Sequence, residues 1–367
     1  MSLRALLDGL PIPILQAPMV GASPPAMALA VSQAGGMGSL AAGALAPDAI
    51  EPEVAALRAA GAAPFGVNLL MAPAARPDAA SVDAALARLA PWYADLGEAS
   101  PAHPNNFAPD FDAQFAALVR AAPPVASFTF SILTGEQVDA LHAVGTFVVG
   151  TATNVPEARA WAEVGADGIC AQGFEAGGHR GHFLAELDAS LVGTMALTSL
   201  ILEAVDLPVI AAGGIMNGRG VAAALALGAS AAQMGTAFLL SDQTGVSAPW
   251  RKAVAGAGDD ATRLTRAFTG RYARGIENRF MREMAAVQDE VPDYPIQNRL
   301  TQPLRAAAAK AGVADMISLW AGQGVRLAEP GDAGDMVRGW WREAGEASAR
   351  RAARTAQAGG GGSDTLG

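Results

Sequence analysis

The 367-residue chain holds a single cysteine, Cys170. One thiol excludes an intramolecular disulfide and any metal site built on several cysteines, and it agrees with a reducing, cytoplasmic setting. Charge is sparse too. Charged residues make up 16% of the sequence, the formal net charge is −10, and no run of Lys and Arg forms. Nucleic acid is therefore not an expected partner. The N-terminal stretch MSLRALLDGLPIPILQAP does not read as a secretory leader, because Asp8, Pro11 and Pro13 stand where an apolar run is required. The nearest approach to a membrane span is the uncharged stretch 220–240. Gly228, Ser230, Gln233, Gly235 and Thr236 interrupt it, so it reads as a helix, a glycine turn and a buried strand, and no membrane partner is expected.

What is present in quantity is apolar side chain: 51% of residues, enough for a sizeable core. Eight short apolar runs ending in glycine or polar residues recur, at 14–19, 38–42, 64–70, 125–130, 146–150, 168–172, 208–212 and 231–236. Helical patterns fall between them, at 23–34, 47–60, 79–96 with 111–121, 134–143, 155–164, 194–204, 218–227 and 246–255. Strands alternating with helices imply a parallel sheet, and eight such units in about 250 residues predict an α/β chain folded as a (β/α)8 TIM barrel. A doubly wound open sheet is the alternative. The barrel is assigned to residues 1–255, with a Pro/Asn-rich excursion at 96–110. Residues 256–305 are more charged and do not alternate, and are expected to form a small added lid subdomain after strand eight. Residues 306–350 should be helices returning to the barrel, with helical patterns at 304–318 and 333–350. Residues 351–367, which contain GGGGS, are expected to be a disordered tail.

In such a barrel the site lies at the C-terminal ends of the strands. Strand seven ends in Gly213-Gly214 and strand eight in Gln233-Met234-Gly235-Thr236. Loops after these two strands are a recurrent phosphate site, since glycines beside a helix start expose backbone N–H groups. The other strand ends carry neutral residues, among them Met19, Gly21, Asn68 and Gln172. Amide side chains donate and accept, which suits the mixed ring edge of flavin mononucleotide (FMN) better than a sugar phosphate. After strand six comes CAQGFEAGGHRGHF, too rich in glycine and histidine for a connector. Gly177 and Gly178 would let backbone approach a ring closely and carry His179 over it, with Glu175 and Arg180 as candidates to orient the imidazole. His179 and His182 lack a third partner at metal-ligand spacing, so no metal is expected. His103 and His142 read as peripheral, and Cys170 as a small buried hydrophobe. Tyr294 and Gln297 could reach from the lid into a substrate pocket.

The motifs QAPMVG, GVNLL, AQGFEAGGHRGHF, AAGGIMNGRGVAAALALGA and QMGTAFL, followed by RAFTGRYARGIEN, YPIQNRLT and LWAGQG, resemble the nitronate monooxygenase family, class I, over residues 12–325. The resemblance implies FMN contacts at Asn68, Gln172, Gly177, Gly214 and Gln233 through Thr236, with Met19 and Gly21 beside the ring. It implies His179 as the residue that takes a carbon-bound proton or holds the anion. The implied reaction is oxidation of an alkyl nitronate, such as propionate 3-nitronate, by O2 to a carbonyl compound plus nitrite or nitrate, in a monomer or homodimer. An NAD(P)H-dependent flavin reductase of the enoyl-acyl-carrier-protein or quinone reductase type is the rival on the same scaffold. A flavin-binding protein without turnover is a further rival.

Overall fold

The computed structural model describes residues 1–73 and 77–359. Its strands are, in chain order, β1 (Ile14–Gln16), β2 (Gly38–Ala41), β3 (Phe65–Leu70), β4 (Val125–Thr129), β5 (Phe147–Ala152), β6 (Gly168–Gln172), β7 (Gly178–His179), β8 (Val209–Ala212), β9 (Ala231–Met234), β10 (Thr262–Thr265) and β11 (Ala273–Ile276). Eight of these form one parallel sheet in the order β1-β9-β8-β6-β5-β4-β3-β2. A parallel bridge between Leu15 and Met37 brings its first and last strands together, and the sheet closes as a (β/α)8 TIM barrel. All eight apolar runs read from the sequence are barrel strands. Most of the ranges overshoot their strands by one to three residues, whereas 168–172 matches β6 and 146–150 stops short of the end of β5 at Ala152.

The helices between strands bury their apolar faces against the outside of the sheet. Helix Val155–Glu163 is typical: Asn154 caps it by accepting from the N–H of Glu157, while Ala158 and Trp161 are buried. The long β3–β4 connection holds two helices with different roles. Phe111–Ala121 packs in the barrel's outer core with Val54, Leu57 and Phe128. Ala79–Asp95, assigned from sequence to the barrel, instead packs Val82, Leu89 and Trp92 into a second core with Phe268, Phe280 and Leu300.

That second core belongs to the segment after β9. β10 and β11 pair antiparallel, and β11 pairs in turn with the two-residue strand β7. The glycine-histidine stretch after β6 is therefore an edge strand of the added sheet. A helix expected at 304–318 runs instead over Ile296–Ala311, so the expected lid boundary at 305 falls within it. Leu300, Leu304 and Ala308 form its apolar stripe, and this four-residue repeat begins earlier than the sequence range allowed. The last helix, Ala333–Gly359, continues through 351–359, where the tail was expected; residues 360–367 lie outside the described residues. Among the described residues no helix is long and apolar enough to cross a membrane.

Candidate active site

The C-terminal ends of the barrel strands open into a cavity of about 450 Å³, roofed by the added unit and by residues 318–324. This is within the roughly 300–1,000 Å³ of small-molecule sites. All but two of the residues proposed from sequence to meet cofactor or substrate line it. Met19 and Gly21 contribute from after β1, Asn68 from β3, and Gln172 from β6. Gly177, Gly178 and His179 come from around β7, Gly213 and Gly214 from after β8, and Gln233, Gly235 and Thr236 from β9 and its turn. Tyr294 reaches in from the lid.

The two exceptions follow from periodicity. Met234 is the neighbour of Gln233 on a strand, so it points to the opposite face, where it packs with Ile14, Ile215 and Phe238. Gln297 is buried in the lid and donates to the carbonyl of Ala267 at 2.8 Å. The helix face that meets the cavity carries Asn298 and Arg305, seven residues apart, which the sequence reading missed together with Phe130, Ser318 and Trp320. A helical repeat through 296–311 would have exposed the first pair.

At one end of the cavity the turns after β8 and β9 meet. Gly213 and Gly214 have φ of 118° and 69°, and a Cβ on Gly214 would stand 3.1 Å from that of Glu175. A Cβ on Gly177 would be 2.5 Å from the N of Gly322. The N–H groups of Gly214, Gly235 and Thr236 find no acceptor among the described residues. Unpaired N–H groups converging beside glycines form a cradle for a phosphate-type anion.

The middle of the cavity is polar and neutral. Asn68 donates to the carbonyl and hydroxyl of Ser127 at 3.1 and 3.0 Å, and Gln233 donates to the sulfur of Cys170 at 3.4 Å, so both keep a carbonyl oxygen free. Burial raises the Cys170 thiol to about 12, which keeps it protonated and inert. Gln172 is more committed. Its amide donates to the His179 carbonyl at 3.0 Å and accepts from the Gly181 N–H at 2.8 Å, bracing the loop.

His179 stands at the other end. Its ring meets Phe130 and Tyr294 edge-on at centroid distances of 5.5 and 5.6 Å, and Trp320 at 5.6 Å. Its Nε2 lies 2.9 Å from the Thr269 hydroxyl. Burial, then the charges of Arg271 and Arg305, push its pKa down to about 3, so the imidazole is neutral. Phe130 adopts φ 88°, a strained value for a bulky residue, and is held there by the Arg271 guanidinium 4.4 Å above its ring.

Neither residue expected to orient the imidazole touches it. Glu175 accepts from the N–H and hydroxyl of Thr194 and so caps helix Thr194–Ala204. The buried Arg180 guanidinium donates to the carbonyls of Gly173, Gln172 and Ser190. His103 and His142 pair with Asp83 and Asp167, away from the cavity.

Among the described residues, Arg305 is the one formally charged side chain on the cavity wall. It donates to the carbonyl and side chain of Asn298 at 3.0 and 2.7 Å and to Ser318 at 3.3 Å. Its Nε has no partner, and no carboxylate bonds it among the described residues. Burial lowers its pKa to about 10, which leaves it charged near neutral pH.

A closed parallel barrel with unpaired N–H groups beyond β8 and β9, and a histidine under an aromatic roof, defines an enzyme that works on a small molecule. Comparison with known proteins narrows the class. The family model for nitronate monooxygenase matches residues 4–341. A Staphylococcus aureus (strain Newman) protein named "Probable nitronate monooxygenase" is 40% identical over 317 residues, covering 86% of this chain and 89% of the relative. Among solved structures, nitroalkane oxidase from Streptomyces ansochromogenes superposes with a TM-score of 0.87 at 43% identity, covering 94% of this chain and 99% of that one. FabK from Thermotoga maritima superposes with a TM-score of 0.74 at 27% identity, covering 96% and 99%. The chain belongs to the nitronate monooxygenase family, and is an oxidoreductase.

Proposed function

We propose that the protein oxidises alkyl nitronates with O2, using FMN, to a carbonyl compound plus nitrite or nitrate. The observation that carries this reading is the charge of the cavity: among the described residues, one guanidinium without a counter-ion shares an otherwise uncharged wall with a neutral imidazole. A half-buried cation without a counter-ion favours an anionic partner, and a nitronate is a compact anion with two acceptor oxygens. The same cavity suits FMN. The orphan N–H groups of Gly214, Gly235 and Thr236 fit its phosphate, and the free carbonyl oxygens of Asn68 and Gln233 fit donors on its ring edge. When bound, FMN supplies the electron-accepting ring that the side chains here lack.

The protein's own residues bind, orient and shield. Arg305 holds the nitro oxygens and stabilises negative charge there. Phe130, Tyr294 and Trp320 exclude water around them. With a neutral nitroalkane, His179 takes the proton from the carbon bearing the nitro group. Its low resting pKa makes it a weak base, so preformed nitronates should be the better substrates.

Purified, flavin-loaded protein mixed anaerobically with ethyl nitronate should bleach, and oxygen should restore the spectrum. Arg305→Gln should raise KM for the nitronate by about tenfold or more, the range of a hydrogen bond to a charged group. Bleaching by NADPH but not by nitronate would replace this reading with the flavin reductase.

A further inference from the structure

The lid carries a residue that reaches the site only through another. Thr269, in the loop between β10 and β11, is buried at 1% exposure and does not line the cavity. The pairing of Ala273 with His179 across β11 and β7 brings this loop against the imidazole. Its hydroxyl oxygen is 2.9 Å from His179 Nε2 and 3.0 Å from the carbonyl oxygen of Arg271. A hydroxyl has one proton, so it can donate to only one of these.

Donor accounting decides between them. The Arg271 carbonyl has no other donor among the described residues, so giving the proton to Nε2 would leave the carbonyl of this half-buried residue without a protein donor. Giving it to the carbonyl leaves the hydroxyl oxygen as an acceptor, and Nε2 must then carry the ring proton. The other nitrogen, Nδ1, has no partner among the described residues, and the ring lines the cavity.

We infer that Thr269 is a positioning residue which fixes His179 as the Nε2–H tautomer and so presents the Nδ1 lone pair, a proton acceptor, to the substrate. This rests on the reading of His179 as the residue that meets the substrate. It assigns the two ring atoms different work: Nε2 anchors the ring to the lid, and Nδ1 takes the proton from a neutral nitroalkane as the electron pair of that C–H bond moves onto the nitro group. No further reactant is needed for the transfer.

The chain has four histidines, which makes the ring nitrogens tractable by NMR. In 15N-histidine-labelled, flavin-loaded protein, with His179 assigned by loss of its signals in His179→Asn, Nε2 should be protonated and Nδ1 unprotonated at pH 7. Thr269→Val keeps the shape but loses the hydroxyl. It should mix the tautomers and lower kcat/KM for neutral nitroethane by about tenfold, the scale of one hydrogen bond. It should change kcat/KM for preformed ethyl nitronate far less, and Thr269→Ser should restore wild-type behaviour. A proton on Nδ1 in the resting protein, or a Thr269→Val variant with wild-type tautomer and wild-type nitroethane kinetics, would overturn the assignment. Because the NMR reading needs no substrate, it separates this failure from that of the reading of His179 as the residue that meets the substrate, which an unchanged nitroethane rate in His179→Asn would overturn.

Discussion

At the scale of single residues, identity was easier to read from sequence than orientation. Asn68 and Gln172 stand out in the sequence as amides at strand ends, and Gln233 as part of the turn that ends the eighth barrel strand, yet the three amides are used differently. Asn68 and Gln233 keep a carbonyl free toward the cavity, while Gln172 spends its donor and its acceptor within seven to nine residues of itself, on His179 and Gly181. Only coordinates distinguish these, because chain spacing does not say where a loop returns. Gln172→Ala should therefore act on the loop more than on the cofactor. Losing two neutral hydrogen bonds should cost about 1–3 kcal/mol of stability. FMN retention after gel filtration should stay near wild type, and nitroethane turnover should fall as His179 loses its brace. Large loss of FMN with an unchanged urea midpoint would instead make Gln172 a direct ring ligand.

At the scale of elements, the barrel was legible because its strands and helices repeat one amphipathic rule eight times. The added unit has no repeat. β7 is two residues long and leaves no alternation to detect, and its partner β11 lies about a hundred residues away. The same long-range dependence hides Glu157. It looks like an ordinary acidic residue in the first turn of a helix, but it is fully buried, and its carboxylate gathers donors from two segments. One oxygen accepts from the N–H and hydroxyl of Thr153, both at 2.7 Å. The other accepts from the N–H groups of Phe183 and Leu184 at 2.6 and 3.2 Å. One side chain thus ties the helix after β5 to the end of the histidine loop. Glu157→Gln is nearly isosteric but turns an NH2 toward a pair of donors, leaving buried groups unpaired at about 1–3 kcal/mol each. A fall in urea midpoint with an unchanged m-value is the expected signature, because packing is lost without a change in exposed surface. A midpoint equal to wild type would show that solvent satisfies these donors and that the loop is not held by Glu157.

At the scale of the whole molecule, the cavity sits where the barrel core and the lid core meet, and this junction buries ionisable groups that water would otherwise solvate. His179 is pushed down to about 3, first by burial and then by Arg271 and Arg305. His182 is pushed down to about 4, first by burial and then by Arg271 and Arg180. Both are neutral in the fold at pH 7. In the unfolded chain each titrates near 6.5. A histidine whose folded pKa lies below its unfolded value favours folding fully above about pH 6.5. Below that pH the unfolded state binds more protons, so stability declines as pH falls, until the folded pKa is reached. The loss should therefore span pH 6.5 to about 4 for His182 and to about 3 for His179, and begin above the range in which ordinary carboxylates titrate. Its slope has a ceiling of about 1.4 kcal/mol per pH unit for each histidine, less for His182, which is only partly buried. Urea midpoints at pH 7.5, 6.0 and 5.0 would measure it. The expected result is a clear drop between 7.5 and 5.0 in the wild type, roughly halved in His179→Asn and nearly absent when His182→Asn is added. An equal drop in the double variant would place the acid sensitivity elsewhere and would mean that these two rings are protonated at little cost, contrary to a neutral imidazole at the junction of the two cores.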